Sequence, residues 1–192
     1  MVAKVLVFAG SARRDSLNKK LAQLAADAAR QAGAEVTLID LNDYPMPIYH
    51  GDEEAATGIP DNGRKLKALF KAHHALIIAS PENNSSIPSL LKNVIDWLSR
   101  PDGAESGMVP FKDKTALLLA ASPGPFGGVR GLNHLRDSIS RLGVLIWPDM
   151  MTVGNADTSF TADGAFVDGK QQVRLVKLTA SLVQLVNGRV SV

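Results

Sequence analysis

Three short stretches of this chain gather the side chains that could hold a ligand, and each directly follows an apolar run. The first, Gly10-Ser11-Ala12-Arg13-Arg14-Asp15-Ser16-Leu17-Asn18, offers a glycine for a sharp turn, hydroxyls at Ser11 and Ser16, a guanidinium fork at Arg13 and an amide at Asn18. A phosphate suits such a loop when a helix follows it. The free N–H groups and dipole of a helix start attract an anion, and hydroxyls and arginine add directed hydrogen bonds. The same residues also suit a plain capping loop, with Ser16 as the cap and Arg13 in solvent. Composition leaves both readings open. The second stretch is Pro81-Glu82-Asn83-Asn84-Ser85, and the third is Ser122-Pro123-Gly124 with Gly127 and Gly128 close behind.

Several kinds of chemistry are excluded by what is missing. The dinucleotide fingerprint Gly-x-Gly-x-x-Gly, the P-loop Gly-Lys-Ser/Thr and the hydrolase elbow Gly-x-Ser-x-Gly do not occur. The absence of cysteine removes disulfides, thiolate metal sites and cysteine nucleophiles, including those of phosphatases that also use a loop after a first strand. His50 and His134 lack spaced partners, so no metal site is expected. A net charge of +2, with 21 basic residues scattered among 19 acidic ones, argues against nucleic acid. No apolar run reaches the ~18 residues of a membrane span, and the first, Lys4-Val5-Leu6-Val7-Phe8-Ala9, is too short and wrongly flanked for a signal peptide, so the expected location is the cytoplasm.

The elements that must position the three loops are legible as alternating patterns. Apolar runs at 5–9, 35–40, 75–79 and 115–121, with a short one at 144–146, read as strands, mostly buried on both faces. Between them lie helical stripes: Leu17, Leu21, Leu24, Ala25 and Ala28, ending near Gly33; Leu66, Leu69 and Phe70; Leu91, Val94, Ile95 and Leu98 behind Pro88; Leu132, Leu135, Ile139 and Leu142. A last helix is expected from about Gln171 to Val186, and residues 41–62, broken by prolines and glycines, read as an irregular surface excursion. Five strands alternating with helices make a single α/β domain over 1–192, with a doubly wound parallel sheet. Ligands of such sheets sit beyond the carboxyl ends of the strands, where these three loops begin.

Taken in order and spacing, Gly10-Ser11-x-Arg13-x-x-Ser16-x-Asn18, Pro81-Glu82-Asn83-Asn84-x-Ser86-Ile87-Pro88-x-x-Leu91-Lys92-Asn93-x-Ile95-Asp96-Trp97 and Ser122-Pro123-Gly124-x-x-Gly127-Gly128-x-Arg130 resemble the NADPH-dependent FMN reductase family. Pro47-Ile48-Tyr49-x-x-Asp52-x-Glu54 adds to the likeness. The resemblance implies a flavodoxin-like three-layer sandwich with five parallel strands in the order 2-1-3-4-5. It also implies FMN as cofactor and NADPH or NADH as co-substrate, with a quinone, free flavin, azo compound or metal oxyanion as electron acceptor, in a homodimer or homotetramer. Residue by residue, Ser11, Arg13, Ser16 and Asn18 would hold the FMN phosphate. Pro81, Glu82, Asn83, Asn84 and Ser85 would lie along the isoalloxazine, and Ser122, Gly124 and Gly127 would flank its other polar edge. The family usually has Pro-Glu-Tyr-Asn in the second loop, and this chain has Asn83 at the tyrosine's place.

The flavin carries the chemistry in such a protein, so no catalytic side chain is assigned. The rival readings are a flavodoxin-type electron carrier, which the basic sequence pI of about 8.9 disfavours, and a non-redox phosphate-ligand binder. Lys92 and Asp96, four apart on a helix, read as a surface pair or subunit contact, Trp97 as packing, and His73 and His74 as structural.

Overall fold

Alternation along the interior strands decides the layers of this protein, whose computed structural model describes residues 2–190. The chain runs β1 (Lys4–Ala9), α1 (Leu17–Gln31), β2 (Glu35–Ile39), α2 (Gly51–Thr57), α3 (Asp61–Ala72), β3 (Ala75–Ala79), α4 (Ser89–Leu98), β4 (Thr115–Ala121), α5 (Val129–Ser140), β5 (Leu145–Ile146), β6 (Met151–Val153) and α6 (Gly169–Val190). The strands pair in parallel in the order β2-β1-β3-β4-β5, as expected. Val5 lies abreast of Ala75, and Ala75 abreast of Thr115. That register sends Val5, Val7, Ala75, Ile77, Leu117 and Leu119 to one face, under Leu21 and Ala25 of α1 and Leu178 and Leu182 of α6. It sends Leu6, Phe8, Leu76, Ile78 and Leu118 to the other, under α3, α4 and α5. Apolar cores on both faces explain why β1, β3 and β4 read as unbroken hydrophobic runs.

Two differences from the sequence reading have physical causes. The fifth strand position is filled by two pieces: β5 runs along Thr115 and Ala116, and β6 along Leu119, Ala120 and Ala121. Pro148 lies in the gap and has no N–H to give to a ladder. Three-residue β6 carries too short an apolar pattern to stand out. The second difference lies in the excursion, which contains a short 3-10 turn at Leu41–Asp43 as well as α2. His50 caps α2, its Nδ1 accepting from the N–H of Asp52 at 3.2 Å, and Asp52, Glu53 and Glu54 fill the first turn, where the helix dipole favours them. No residue of α2 is buried, so the helix shows no apolar stripe.

The excursion is stapled to α4 through its backbone. The Pro47 carbonyl accepts from Trp97 Nε1 at 2.8 Å and from Asn93 Nδ2 at 2.9 Å, while Tyr49 N–H donates to Asn93 Oδ1 at 2.8 Å. Trp97 is buried, as its packing role requires, and Lys92 pairs with Asp96 at 2.7 Å on the exposed side of the same helix. At the far end of the sheet His73 spans Leu69 O at 2.7 Å and Thr37 Oγ1 at 2.8 Å, and His74 Nδ1 accepts from Lys4 N–H. Both histidines are structural. Among the described residues, no helix is long and apolar enough to cross a membrane.

One long-range tie sets where α1 begins. Asn18, buried at the helix start, donates from Nδ2 to the Ala121 carbonyl at 2.8 Å and accepts from the Ala121 N–H at 2.9 Å. The last residue of β4 thereby finishes its hydrogen bonding on a side chain 103 residues away in sequence. Asn18→Ala is expected to lower stability by about 2–4 kcal/mol, because two buried backbone groups lose their partner. Urea unfolding of the protein without flavin measures it, and a loss near zero would show that water replaces the amide.

Lys114 generates a second expectation. Its ammonium is buried, donates to the His73 carbonyl at 2.6 Å, and is pulled down to about 8, chiefly by burial, with Asp113 pulling the other way. Between about 8 and the ordinary 10.5 the unfolded chain holds a proton that the folded chain has released. Stability therefore rises with pH across that window. Comparing chemical unfolding of the wild type and Lys114→Met between pH 7.5 and 10.5 should show that rise in the wild type and its loss in the variant.

Candidate functional site

The carboxyl ends of β1, β3 and β4 open on a cleft of about 360 Å³ whose wall combines the three loops. Ser11, Arg13, Ser16, Asn18, Pro81, Glu82, Asn83 and Ser122 all line it. Pro88, Ser89 and Leu90, at the start of α4, also line it; Pro88 was read in the sequence as a helix start, and none of the three was expected at the site. Asn84 faces a neighbouring recess shared with His134 and Asp137, while Ser85, Gly124 and Gly127 line neither hollow.

The first loop is built by its own polar atoms. Ser16 is the N-cap of α1, its Oγ accepting from Asn18 N–H at 3.2 Å and Lys19 N–H at 3.4 Å. Capping and ligand contact are compatible, because a hydroxyl that accepts these bonds keeps its own hydrogen. Ser11, also buried, accepts from Arg13 N–H at 3.4 Å. Asn42, unmarked in the sequence, steadies the loop from outside by donating from Nδ2 to Ala12 O at 2.8 Å. Gly10 is needed for packing, since a Cβ there would lie 3.1 Å from Leu91 Cδ2. Arg13 is exposed, and its guanidinium has no ion-pair partner among the described residues.

The second loop is a two-residue hairpin. Asn83 and Ser86 exchange both backbone hydrogen bonds, at 3.0 and 2.9 Å, and Asn84 and Ser85 between them sit at φ 49° and 64°. Two successive left-handed residues are what a type I′ turn requires. Asparagine tolerates that region and serine less so, which places strain at the lip of the cleft.

Glu82 locks this hairpin to the third loop. One carboxylate oxygen accepts from Arg130 Nε at 3.0 Å and Nη2 at 2.7 Å, and the other from the N–H of Gly131 at 2.9 Å. The carboxylate thus meets the positive start of α5 with charge-assisted bonds. Burial by itself would raise its pKa, but the Gly131 N–H and the Arg130 guanidinium outweigh burial and hold it below the usual range. Gly131 packs closely here, since a Cβ would come within 3.1 Å of Ser86 O and 3.2 Å of Glu82 Cβ and its neighbours would have to give by a few tenths of an ångström. Gly127, at φ 59°, is required by β6: a Cβ would lie 2.9 Å from both Gly154 N and Thr152 Cβ. Gly124 differs. Its nearest non-neighbouring atom is Ser122 Oγ at 3.7 Å, so nothing in the chain itself demands a glycine.

One residue beside the Glu82–Arg130 pair escaped the sequence reading. Phe126, on the third loop, is 66% exposed, and its ring centroid lies 5.5 Å from the Arg130 guanidinium carbon. Its signal was only its position between Gly124 and Gly127. Among the described residues, no group of three histidine, aspartate or glutamate side chains could hold a metal.

With this geometry in place, the likenesses to known proteins become specific. The sequence model for NADPH-dependent FMN reductase matches residues 3–158, a span that contains all three loops. An NAD(P)H-dependent FMN reductase of Pseudomonas aeruginosa is 34% identical over 184 residues, covering 95% of this chain and 94% of its own. An NAD(P)H:quinone oxidoreductase of Solanum tuberosum is 30% identical over 96% of this chain and 94% of its own. Among solved structures, the flavoenzyme NAD(P)H:(acceptor) oxidoreductase FerB of Paracoccus denitrificans superposes with a TM-score of 0.80 at 28% identity, covering 97% of this chain and 98% of that one. A flavodoxin-like sheet, a loop cleft at its carboxyl edge and a family match across both lead to one assignment: the chain belongs to the NADPH-dependent FMN reductase family of oxidoreductases.

Proposed function

We propose that this protein binds FMN in the three-loop cleft, oxidises NAD(P)H and passes the electrons to a small acceptor of the quinone type. The observation that carries the reading is that Arg13, with no ion-pair partner among the described residues, lines the same cleft as Ser11 and Ser16 at the N-terminus of the fifteen-residue helix α1. A phosphate monoester there meets a helix dipole, hydroxyl donors and a planar fork in one place. The donor set fits FMN at its phosphate end. At the ring end, Gly124 is open where a side chain would be tolerated by the protein, which suits a ligand edge approaching the backbone. FMN held in this way would supply the redox chemistry, accepting hydride from the nicotinamide at N5 and returning electrons to the acceptor.

The chain's own part is to bind and orient. Arg13, Ser11 and Ser16 would anchor the phosphate, and Asn18 would act through the position it gives α1, since its amide is engaged with Ala121. Pro81, Asn83 and Ser122 would wall the ring, and the carboxylate of Glu82 would keep that wall rigid from behind. Asn84, Ser85 and Gly127 would shape the loops that carry these contacts. The names of the potato and Paracoccus relatives support a quinone or similar acceptor and either nicotinamide cofactor. A second copy of the chain in solution also belongs to this reading. Ile48, 86% exposed on the ridge stapled to α4, is an apolar side chain that a subunit contact would cover.

Titration of the protein with FMN, followed by quenching of flavin fluorescence, tests the phosphate end. Arg13→Ala should weaken FMN about ten- to a hundred-fold, the worth of a charge-assisted contact. Riboflavin, which has no phosphate, should bind the two forms alike; equal losses for both ligands would refute the role of Arg13. Anaerobic addition of NADPH or NADH to the flavin-loaded protein should bleach the yellow band without a partner reductase, and a band that persists would point to a one-electron carrier.

A further inference from the structure

We propose that Phe126 is the stacking wall of an acceptor subsite, a place beside the cleft that takes planar aromatic molecules such as quinones. The inference rests on the FMN-dependent reading above and goes beyond it in assigning the acceptor's contact to one side chain. The described residues include every aromatic of the chain, and Phe126 alone among them is exposed. Phe8, Phe70, Phe111 and Trp97 are buried in the core beneath α3 and α4, and Phe160 stacks on Phe166. The cleft wall carries no aromatic side chain, and the exposed ring tied to it, through Arg130 and Glu82, is that of Phe126.

Scattered apolar side chains on a surface are ordinary, and exposure alone would mean little. This ring is held. Its one face rests on the Arg130 guanidinium at 5.5 Å, and that guanidinium is fixed by two hydrogen bonds to Glu82, itself part of the cleft wall. On the chain side, buried Gly127 and Gly128 follow at φ 59° and 86°, with space beside them for no side chain, so the ring is attached to a packed stretch of backbone. A ring ordered before a ligand arrives loses little further freedom on stacking, which is the condition under which such contacts contribute most. The residue as a whole stays 66% exposed.

The overall reaction is NAD(P)H plus a proton plus quinone giving NAD(P)+ plus hydroquinone. Phe126 enters neither the electron nor the proton count. It acts on where the acceptor sits, so its loss should change acceptor binding rather than the chemical step.

The test uses FMN-loaded wild type, Phe126→Ala and Phe126→Trp. Calorimetric titration with 2-naphthol, a planar probe that is not reduced, should show about three- to ten-fold weaker binding in Phe126→Ala, the range expected for one aromatic pair, and recovery in Phe126→Trp. The KM for 1,4-naphthoquinone should rise by the same factor with kcat unchanged. Ferricyanide, which is not planar, should react alike with all three, and FMN affinity should not move. Unaltered 2-naphthol affinity in Phe126→Ala would overturn the subsite. So would a parallel loss of FMN affinity, which would place the ring against the cofactor instead. Absence of FMN binding or NAD(P)H oxidation in the wild type would overturn the underlying reading and the subsite with it.

Discussion

The site depends on one carboxylate. Glu82 leaves the end of β3 and satisfies the opening turn of α5, so two loops from different crossovers move as a single piece. Its side chain is only 9% exposed, which makes the arrangement costly to break, because a buried charge without its partners is worth far less than a paired one. The packing around the second and third loops follows from this lock. Gly131 packs closely against Glu82, Arg130 is turned towards Phe126, and the strained Asn84-Ser85 turn is held shut from behind.

The phosphate end rests on a different and more local logic. Ser16 caps the helix that follows it in sequence, and Ser11 braces the backbone two residues on. Asn18 reaches beyond the loop to Ala121 and the Gly10 N–H to the Ala79 carbonyl, while Asn42 comes in from outside to Ala12. The cleft thus joins a locally determined half, where the cofactor's charge would sit, to a half assembled from distant residues. The shape of the second half is set by side-chain ties rather than by helix geometry.

This division also explains what the sequence disclosed. β1, β3 and β4 announce themselves because burial on both faces demands unbroken apolar runs, and α1, α4 and α5 because a single buried face imposes a helical period. The first loop was legible because Ser16 and its helix are neighbours in the chain. Glu82 and Arg130 were each legible as motif residues but their pairing was not, since 48 residues separate them and no periodicity links them. The same holds for Asn18, which reads as a ligand group at a helix start and is occupied by Ala121 across 103 residues. Exposed α2 and three-residue β6 escaped for the opposite reason: each buries too little to leave a pattern.

The split edge of the sheet matters for how copies of this protein meet. A strand approaching from outside β4 would find β5 with two residues and β6 with three, separated by a stretch containing Pro148. Such an edge presents no continuous ladder of N–H and C=O groups to copy, and proline cannot donate within the gap. Joining through that side by extending the sheet is therefore disfavoured, and the molecule is protected there from the open-ended strand addition that leads parallel sheets into fibres.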